Sequence, residues 1–298
     1  MFDYKVKKSE DCVLINCNDW IQSSAIQICK ISGKSSPSCI TTALDVHAHS
    51  KHFLNCPISK GDIILLTKVA SDVASMRSFQ LEDGKSYFNL PFMQVLGIFK
   101  DKKINYDNLE MIYDKILVEK VEQENNNLLQ LPKSNDMIGI VKKVGSNSFD
   151  KKFKEKPLNV SIGDYVLIKD NVSTPITLDE KTYYAVEEKA VVGIFDKSNF
   201  NVNSITFINE SILMKSYHSP KVLNSILISP AINYEDLDYS DIYNRDLFQI
   251  KYLDKSLKKV KKEDIVLVKR DYTNYVYFNE EKYHLINGEN YIEAKIEG

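Results

Sequence analysis

Val160-Ser-Ile-Gly-Asp164-Tyr-Val-Leu-Ile168 is the stretch that decides the fold, because closely similar stretches precede and follow it in the chain. Each copy places a turn around an aspartate and then continues as a short apolar run. This pattern predicts a strand that enters a core from a tight bend. The other copies are Ile58-Ser-Lys-Gly-Asp62-Ile-Ile-Leu-Leu66 and Val260-Lys-Lys-Glu-Asp264-Ile-Val-Leu-Val268.

Further landmarks keep the same order around each aspartate. A β-rich run precedes the turn, and an aromatic strand and then a closing apolar strand follow it. This shared order predicts three copies of one unit. The opening runs are Val13–Ile15, Ile116–Val118 and Ile212–Met214, the aromatic segments are Gly84–Phe88, Glu180–Tyr184 and Glu281–His284, and the closing segments are Gln94–Phe99, Ala190–Phe195 and Tyr291–Ile296.

The spacing of these landmarks predicts an all-β protein of three tandem small barrels, since each unit has short strands and no long amphipathic helix. We call the units repeats 1, 2 and 3 and expect them to span residues 1–104, 105–203 and 204–298. Polar stretches near 100–110 and 196–208 are the expected linkers.

Composition argues against several classes of function. The formal net charge is −2, so the chain has no bulk attraction for nucleic acid. No apolar run is long enough for a membrane span or a signal peptide, which predicts a soluble intracellular protein. The five cysteines all lie between Cys12 and Cys56, which favours buried thiols over a disulfide framework.

Residues 113–195 contain, in this order, YDKILVEKV, LPKS, MIGIVKKVG, the turn KPLNVSIGDYVLI and the closing KTYYAVEEKAVVGIF. This order resembles that of the GroES co-chaperonin family. The resemblance implies an irregular β-barrel, a loop at Val121–Asp136 that docks on a chaperonin rim, and a roof hairpin that carries Lys154–Pro157. The docking residues would be Leu128, Leu129 and Leu131.

The same leucines have a second interpretation, in which they pack against a neighbouring repeat. Repeats 1 and 3 are expected to have only short connections at the equivalent place, about Cys17–Ser24 and Ser216–Leu223. The acidic, tyrosine-rich insertion Ile232–Asp254 is expected to replace the roof hairpin of repeat 3. It is interpreted as a contact arm that uses Tyr234, Tyr239 and Tyr243.

No catalytic residues are predicted, and no cofactor. The chain lacks the G-x-G-x-x-G sequence of nucleotide-binding enzymes, and no nucleophile and base can be paired from their order. His47, His49 and His52, with Cys39 and Cys56 nearby, would form a metal site if they projected from one side of a strand. Their spacing matches no standard zinc site, and a solvated loop is the alternative.

These observations predict a non-enzymatic binding protein that docks onto a large symmetric assembly as part of a homo- or hetero-oligomer. One hypothesis is a bacteriophage virion component that contacts capsid or tail proteins. The alternative is a divergent co-chaperonin that caps a GroEL-type chaperonin. The expected location is the cytoplasm of a bacterial host, or the virion.

Overall fold

The computed structural model is all-β, which confirms the predicted class. It describes residues 12–17, 40–47, 57–70, 77–80, 82–121, 137–149, 154–169, 173–196, 200–217, 245–269, 273–278 and 281–296. The strands are joined by short 3-10 turns such as Phe92–Gln94 and Val202–Ser204. Over these ranges, no helix has both the length and the apolar character that a membrane crossing requires.

The chain divides into two compact units. The first comprises Met1–Val121, Gly139–Asp164 and Asn171–Lys189, and the second comprises Glu122–Ile138, Tyr165–Asp170 and Ala190–Gly298. The strands of repeat 2 are therefore divided between the two units. The predicted boundaries 1–104, 105–203 and 204–298 stay a prediction.

In the first unit the strands pair in the orders β3-β1-β6-β5, β2-β4-β7-β8, β14-β15-β9-β10 and β11-β12. They are β1 Cys12–Asn16, β2 Ile40–Thr42, β3 Asp45–His47, β4 Ile63–Leu66, β5 Phe79–Gln80, β6 Ser86–Pro91, β7 Val95–Phe99, β8 Leu109–Met111, β9 Lys115–Lys120, β10 Met137–Val144, β11 Ser148–Phe149, β12 Glu155–Lys156, β14 Thr174–Leu178 and β15 Lys181–Glu187.

In the second unit the orders are β13-β16-β17 and β21-β22-β18-β19-β20-β23. Among the strands that the structure describes, no sheet closes on itself, so closure into barrels stays a prediction. The strands are β13 Tyr165–Ile168, β16 Val191–Phe195, β17 Ile205–Phe207, β18 Ser211–Ser216, β19 Arg245–Leu253, β20 Ile265–Lys269, β21 Asn274–Phe278, β22 Glu281–Asn287 and β23 Ile292–Ile296.

The continuous apolar run after Asp62 reflects a strand that is covered on both faces. Ile64 and Leu66 point into one hydrophobic cluster, which includes Val13 and Phe92. Leu65, between them, points into a second cluster. Alternate residues of β4 therefore contact different cores, and this is why the run lacks the polar alternation of a half-exposed strand.

The three aspartate turns share one hydrogen-bond pattern. The side-chain Oδ2 of each aspartate accepts from the backbone N–H three residues earlier, at 2.7 Å from Ser59, 2.7 Å from Ser161 and 2.9 Å from Lys261. The aspartate carbonyl oxygens also accept backbone hydrogen bonds from Ala43, Val141 and Ile250, at 2.8 to 2.9 Å. The shared pattern shows that Asp62, Asp164 and Asp264 occupy similar turns.

A strand begins within each predicted linker, which corrects the expectation that the strand pattern lapses there. β8 pairs with β7 so that Gly97 lies opposite Met111, and β17 pairs with β16 so that Gly193 lies opposite Phe207. An apolar residue on either side of one polar residue, as in Leu109-Glu110-Met111, is too short a pattern for the sequence to reveal a strand.

The second cluster of the first unit joins strands of repeats 1 and 2. Leu65 and Leu96 come from repeat 1, whereas Leu117, Ile176 and Tyr183 come from repeat 2. In the second unit, a separate cluster forms the core of repeat 3 and includes Met214, Phe248 and Val266. These cores fix the strands that carry the candidate site.

Candidate docking site

The candidate docking segment of repeat 2 connects two paired strands. β9 and β10 are antiparallel, and Lys120 lies opposite Gly139 at the end of the hairpin from which the segment leaves. A Cβ atom at Gly139 would lie 2.2 Å from Val118 Cγ1 and 2.9 Å from the Glu119 carbonyl oxygen. This position therefore requires glycine. Leu128, Leu129 and Leu131 lie outside the described residues.

Repeats 1 and 3 have long connections at the equivalent place, so the expectation of short ones was wrong. Among the described residues, β18 pairs with β19, which begins at Arg245, and β1 pairs with β3, which begins at Asp45. The turn pattern shows that these strands correspond to β10, since Ala43, Val141 and Ile250 donate to equivalent aspartates. A pattern of short apolar runs does not show which run pairs with β1 or β18.

The tyrosine-rich insertion belongs to this same place and does not replace the roof hairpin. Its last residues form β19, and the part that precedes Arg245 lies between β18 and β19. Tyr234, Tyr239 and Tyr243 are outside the described residues. In repeat 3 the chain passes from β19 to β20 through a short turn at Asp254–Asp264, where Ser256 N–H donates to Asp254 Oδ1 over 2.8 Å.

The expected hairpin of repeat 2 is present. β11 and β12 pair with Ser148 opposite Lys156 and Phe149 opposite Glu155. Glu155, Lys156 and Pro157 are exposed on it, as is Lys154. The hairpin is therefore a charged surface feature of the repeat that carries the candidate docking segment.

A buried lysine anchors the start of β9. Lys115 Nζ lies 2.8 Å from Asp114 Oδ1 and 2.9 Å from Glu187 Oε1, and only 1% of its side chain is exposed. Glu187 also pairs with Lys189. Burial opposes ionisation of Glu187, but Lys115 and Lys189 hold its pKa below the ordinary value. The cluster ties β9 to the end of β15 through charge-assisted hydrogen bonds.

A neighbouring carboxylate binds the segment that leads into the aspartate turn. Glu188 is buried and accepts a hydrogen bond from Asn159 N–H. Burial raises the pKa of Glu188. In repeat 3, Glu289 Oε1 accepts from the backbone N–H groups of Lys258 at 3.0 Å and Lys259 at 2.6 Å. Repeats 2 and 3 therefore use a glutamate for the same backbone contact.

A second lysine holds the chain between repeats 1 and 2. Lys143 Nζ donates to the carbonyl oxygens of Tyr106 at 2.6 Å, Leu109 at 2.7 Å and Asp107 at 3.3 Å. It also lies 4.4 Å from the ring centroid of Tyr106, which stacks on Tyr183 at 5.1 Å. Burial lowers the pKa of Lys143. Sequence reasoning missed this residue, because no local pattern distinguishes Lys143 from Lys142.

In the described part of the chain, no three His, Cys, Asp or Glu residues lie close enough together to hold a metal ion. His47 lies in β3 opposite Cys12. His49, His52, Cys39 and Cys56 fall outside the described residues, so the full set stays a hypothesis. Cys12 and Cys17 are thiols, and burial raises the pKa of Cys17.

The arrangement around β9, β10 and the Asp164 turn is that of a small β scaffold that presents a long connection between its first two strands, which is the organisation of the chaperonin 10 class. Comparison with known proteins agrees with this assignment. Residues 108–195 match Cpn10, the chaperonin 10 Kd subunit family. The chain belongs to this family.

The similar curated proteins include co-chaperonins that align with less than a third of this chain. The co-chaperonin GroES of Anaplasma phagocytophilum (strain HZ) is 32% identical over 89 residues, which cover 28% of this chain and 95% of that protein. GroES of Ehrlichia ruminantium (strain Welgevonden) is 28% identical over 89 residues, with the same coverage. GroES of Hydrogenobaculum sp. (strain Y04AAS1) is 29% identical over 94 residues, which cover 30% of this chain and 98% of that protein.

Proposed function

We propose that the chain is a non-enzymatic, GroES-like binding protein in which three related modules, 1–104, 105–203 and 204–298, form a scaffold that docks onto a chaperonin. The observation that carries this proposal is the family match over 108–195, together with the β9–β10 hairpin that frames the connection in which the docking residues lie. The cytoplasm of a bacterial host would be the site of action.

The docking contact would be made by Leu128, Leu129 and Leu131. An apolar side chain that enters a groove on the partner contributes through burial, and a charge introduced there must be desolvated at a cost. The β9–β10 hairpin holds both ends of the segment, and the Lys115 cluster anchors the opposite end of β9. The leucines thus act on binding, while the scaffold sets where they are presented.

The connection of repeat 3 would supply a second contact through Tyr234, Tyr239 and Tyr243. It joins β18 to β19 at the place that the leucine segment occupies between β9 and β10. Tyrosine offers a large contact area at a modest entropic cost, which suits an interface. Two contacts on one chain raise the overall affinity above that of either contact alone.

The hypothesis of a virion component has no specific support. The relatives named above are co-chaperonins, and none of them is a capsid or tail protein. This hypothesis therefore serves as an alternative outcome of the test below.

The test is a pull-down of the tagged full-length chain from its native source, with and without ATP, and identification of the bound proteins by mass spectrometry. We expect a chaperonin to be recovered with ATP. Leu129→Asp and Leu131→Asp should each reduce its recovery about tenfold, which corresponds to about 1.4 kcal/mol. Ile162→Asp is a matched control, since Ile162 is an apolar residue that is 66% exposed outside the docking segment.

Unchanged recovery of the chaperonin in both leucine variants would contradict the docking assignment. Recovery of capsid or tail proteins regardless of ATP, without a chaperonin, would contradict the co-chaperonin function and favour the virion hypothesis. Equal losses in the leucine variants and in Ile162→Asp would show that any added surface charge prevents binding.

A further inference from the structure

The closing strands of repeats 1 and 2 each accept a short additional strand. β8 adds to the edge of β7, with Phe99 opposite Leu109 and Gly97 opposite Met111. β17 adds to the edge of β16 with the equivalent register, since Phe195 lies opposite Ile205. The same edge is therefore used in the same way twice in one chain.

A glycine makes this addition possible in both places. A Cβ atom at Gly97 would lie 2.6 Å from the Glu110 carbonyl oxygen and 2.9 Å from Leu109 Cδ1. At Gly193, it would lie 2.7 Å from Ile205 Cγ1 and 2.8 Å from the Thr206 carbonyl oxygen. Any side chain at these positions would push the added strand away, because separations below 3.0 Å are repulsive.

The residue before each of these glycines is apolar and buried. Leu96 and Val192 are each 1% exposed. Leu96 belongs to the same hydrophobic cluster as Leu109 and Met111 of β8. The acceptor edge thus combines an apolar residue with a glycine, as Leu96-Gly97 and Val192-Gly193.

β23 is the corresponding strand of repeat 3, and its sequence lacks both features. β23 pairs with β20, and Ala294 lies opposite Leu267. In repeat 1 the equivalent strands β7 and β4 place Gly97 opposite Leu65. The ladder register also shifts at the equivalent step in each repeat. Ala294 therefore takes the place of the glycine, Glu293 takes the place of Leu96 and Val192, and both are exposed.

We propose that β23 is a terminating edge, which rejects the strand addition that β7 and β16 accept, including addition of a strand from a second copy of this chain. The Ala294 methyl group would occupy the space of the incoming backbone, and Glu293 would have to be buried on an apolar face. Charged residues on an end strand are a known protection against edge-to-edge association. The series of additions ends at repeat 3, and the chain is a self-limiting unit.

The test offers a strand to the full-length chain. A fluorescein-labelled peptide with the sequence of residues 104–114 contains β8, and its binding is followed by fluorescence anisotropy. We expect no binding to the wild type, since β7 and β16 already hold their own strands. The double variant Glu293→Leu/Ala294→Gly should bind the peptide at least tenfold more tightly than the wild type does. A peptide with Leu109 and Met111 replaced by serine is the matched control.

Single variants separate the two features. Ala294→Gly alone should bind more weakly than the double variant, and Glu293→Gln should not bind, because it keeps both the Ala294 methyl group and a polar residue. Circular dichroism shows which variants are folded. If the double variant does not fold, Ala294→Gly carries the test, and it should still gain measurable binding.

Binding of the peptide to the wild type as strong as to the double variant would overturn the proposal, and so would a folded double variant without binding. Light scattering gives an independent test. If the wild type formed a multimer and the Ala294→Pro variant did not, β23 would accept a strand from a second copy, which would contradict the proposal. These results do not depend on chaperonin binding, so this proposal and the proposed function can fail separately.

Discussion

At the scale of single residues, Lys115 should be the most costly charged side chain to remove. Its ammonium group is buried against Asp114 and Glu187, so Lys115→Met would leave these carboxylates with less compensation. Removal of one partner from a buried ion pair costs about 3 kcal/mol. We expect a loss of this size in the free energy of unfolding, measured by urea denaturation followed by circular dichroism.

Lys142→Met is the control for this prediction. Lys142 Nζ lies 3.0 Å from Glu119 Oε2, and both side chains are 34% exposed. Solvent screens such a pair, so the variant should lose less than about 1 kcal/mol. Equal losses in the two variants would contradict the assignment of Lys115 as a buried anchor.

Glu188 should make the stability of the folded chain depend on pH. Its pKa is raised from the ordinary 4.5 by burial, so the folded chain binds this proton more readily than the unfolded chain does. Ionisation of Glu188 as the pH rises through its ordinary value therefore reduces stability. Glutamine keeps an oxygen that accepts from Asn159 N–H but does not titrate.

The stability of Glu188→Gln relative to the wild type should accordingly increase between about pH 4 and about pH 7. Urea denaturation at several pH values measures this difference. A difference that stays constant with pH would show that Glu188 is not held in a desolvated site. Glu187→Gln is the contrasting variant. Its relative stability should fall as the pH rises towards about 5 and stay level above that, because Lys115 and Lys189 lower the pKa of Glu187 below its ordinary 4.5.

At the scale of strands, Gly97 should control the pairing of β8 with β7. In Gly97→Ala the new Cβ atom meets the Glu110 carbonyl oxygen at 2.6 Å, and a strained fit of this kind costs about 1–3 kcal/mol. The adjacent Ile112 N–H donates to the Leu96 carbonyl oxygen over 3.2 Å. We expect faster hydrogen exchange at the Ile112 amide in this variant.

Gly84→Ala is the control, since no atom lies within 4 Å of the added Cβ atom although φ is +73°. Backbone strain there should leave exchange at the Ile112 amide unchanged. If both variants increased this exchange equally, the effect would reflect general destabilisation and not the β7–β8 contact.

The sequence predicted well those strands whose burial produces a run of apolar residues. The runs after Asp62, Asp164 and Asp264 are apolar because they form β4, β13 and β20, and the predicted opening runs form β1, β9 and β18. β8 and β17 were missed because each has only two apolar residues. The partner strands of β1 and β18 were missed because an apolar pattern does not show which strands pair.

The candidate site was less predictable than the fold. Its contacts join residues distant in sequence, such as Lys143 and Tyr106, and depend on how strands pair. The corresponding place in repeat 3 is taken by Tyr252, whose hydroxyl donates to Asn203 Oδ1 over 2.9 Å. The sequence does not indicate that Lys143 and Tyr252 are equivalent, because lysine and tyrosine are chemically different. Only the strand register shows it.

At the scale of the whole molecule, the contact arm should add to binding without adding to stability. Replacement of Tyr234, Tyr239 and Tyr243 by serine in the full-length chain should weaken partner binding several-fold. The melting temperature should stay unchanged, since the residues are assigned to an interface and not to the core. Binding is measured by quantitative pull-down, and stability by circular dichroism.

Tyr275→Ser is the control for this prediction, since Tyr275 is 48% exposed on β21 and outside the contact arm. It should leave partner binding unchanged. A lower melting temperature in the triple variant, together with weaker binding, would contradict the contact-arm assignment and indicate that these tyrosines support the fold.

The shared location of the three connections has a consequence for how the protein can change over evolution. Loop-closure entropy depends only weakly on length, and a doubling costs about 0.6 kcal/mol. The connections, 17–39, 121–136 and 217–244, differ in length by less than a factor of two. Insertions and substitutions in these segments are therefore inexpensive for the scaffold, so each repeat is free to acquire its own recognition sequence while the strands that hold it stay the same.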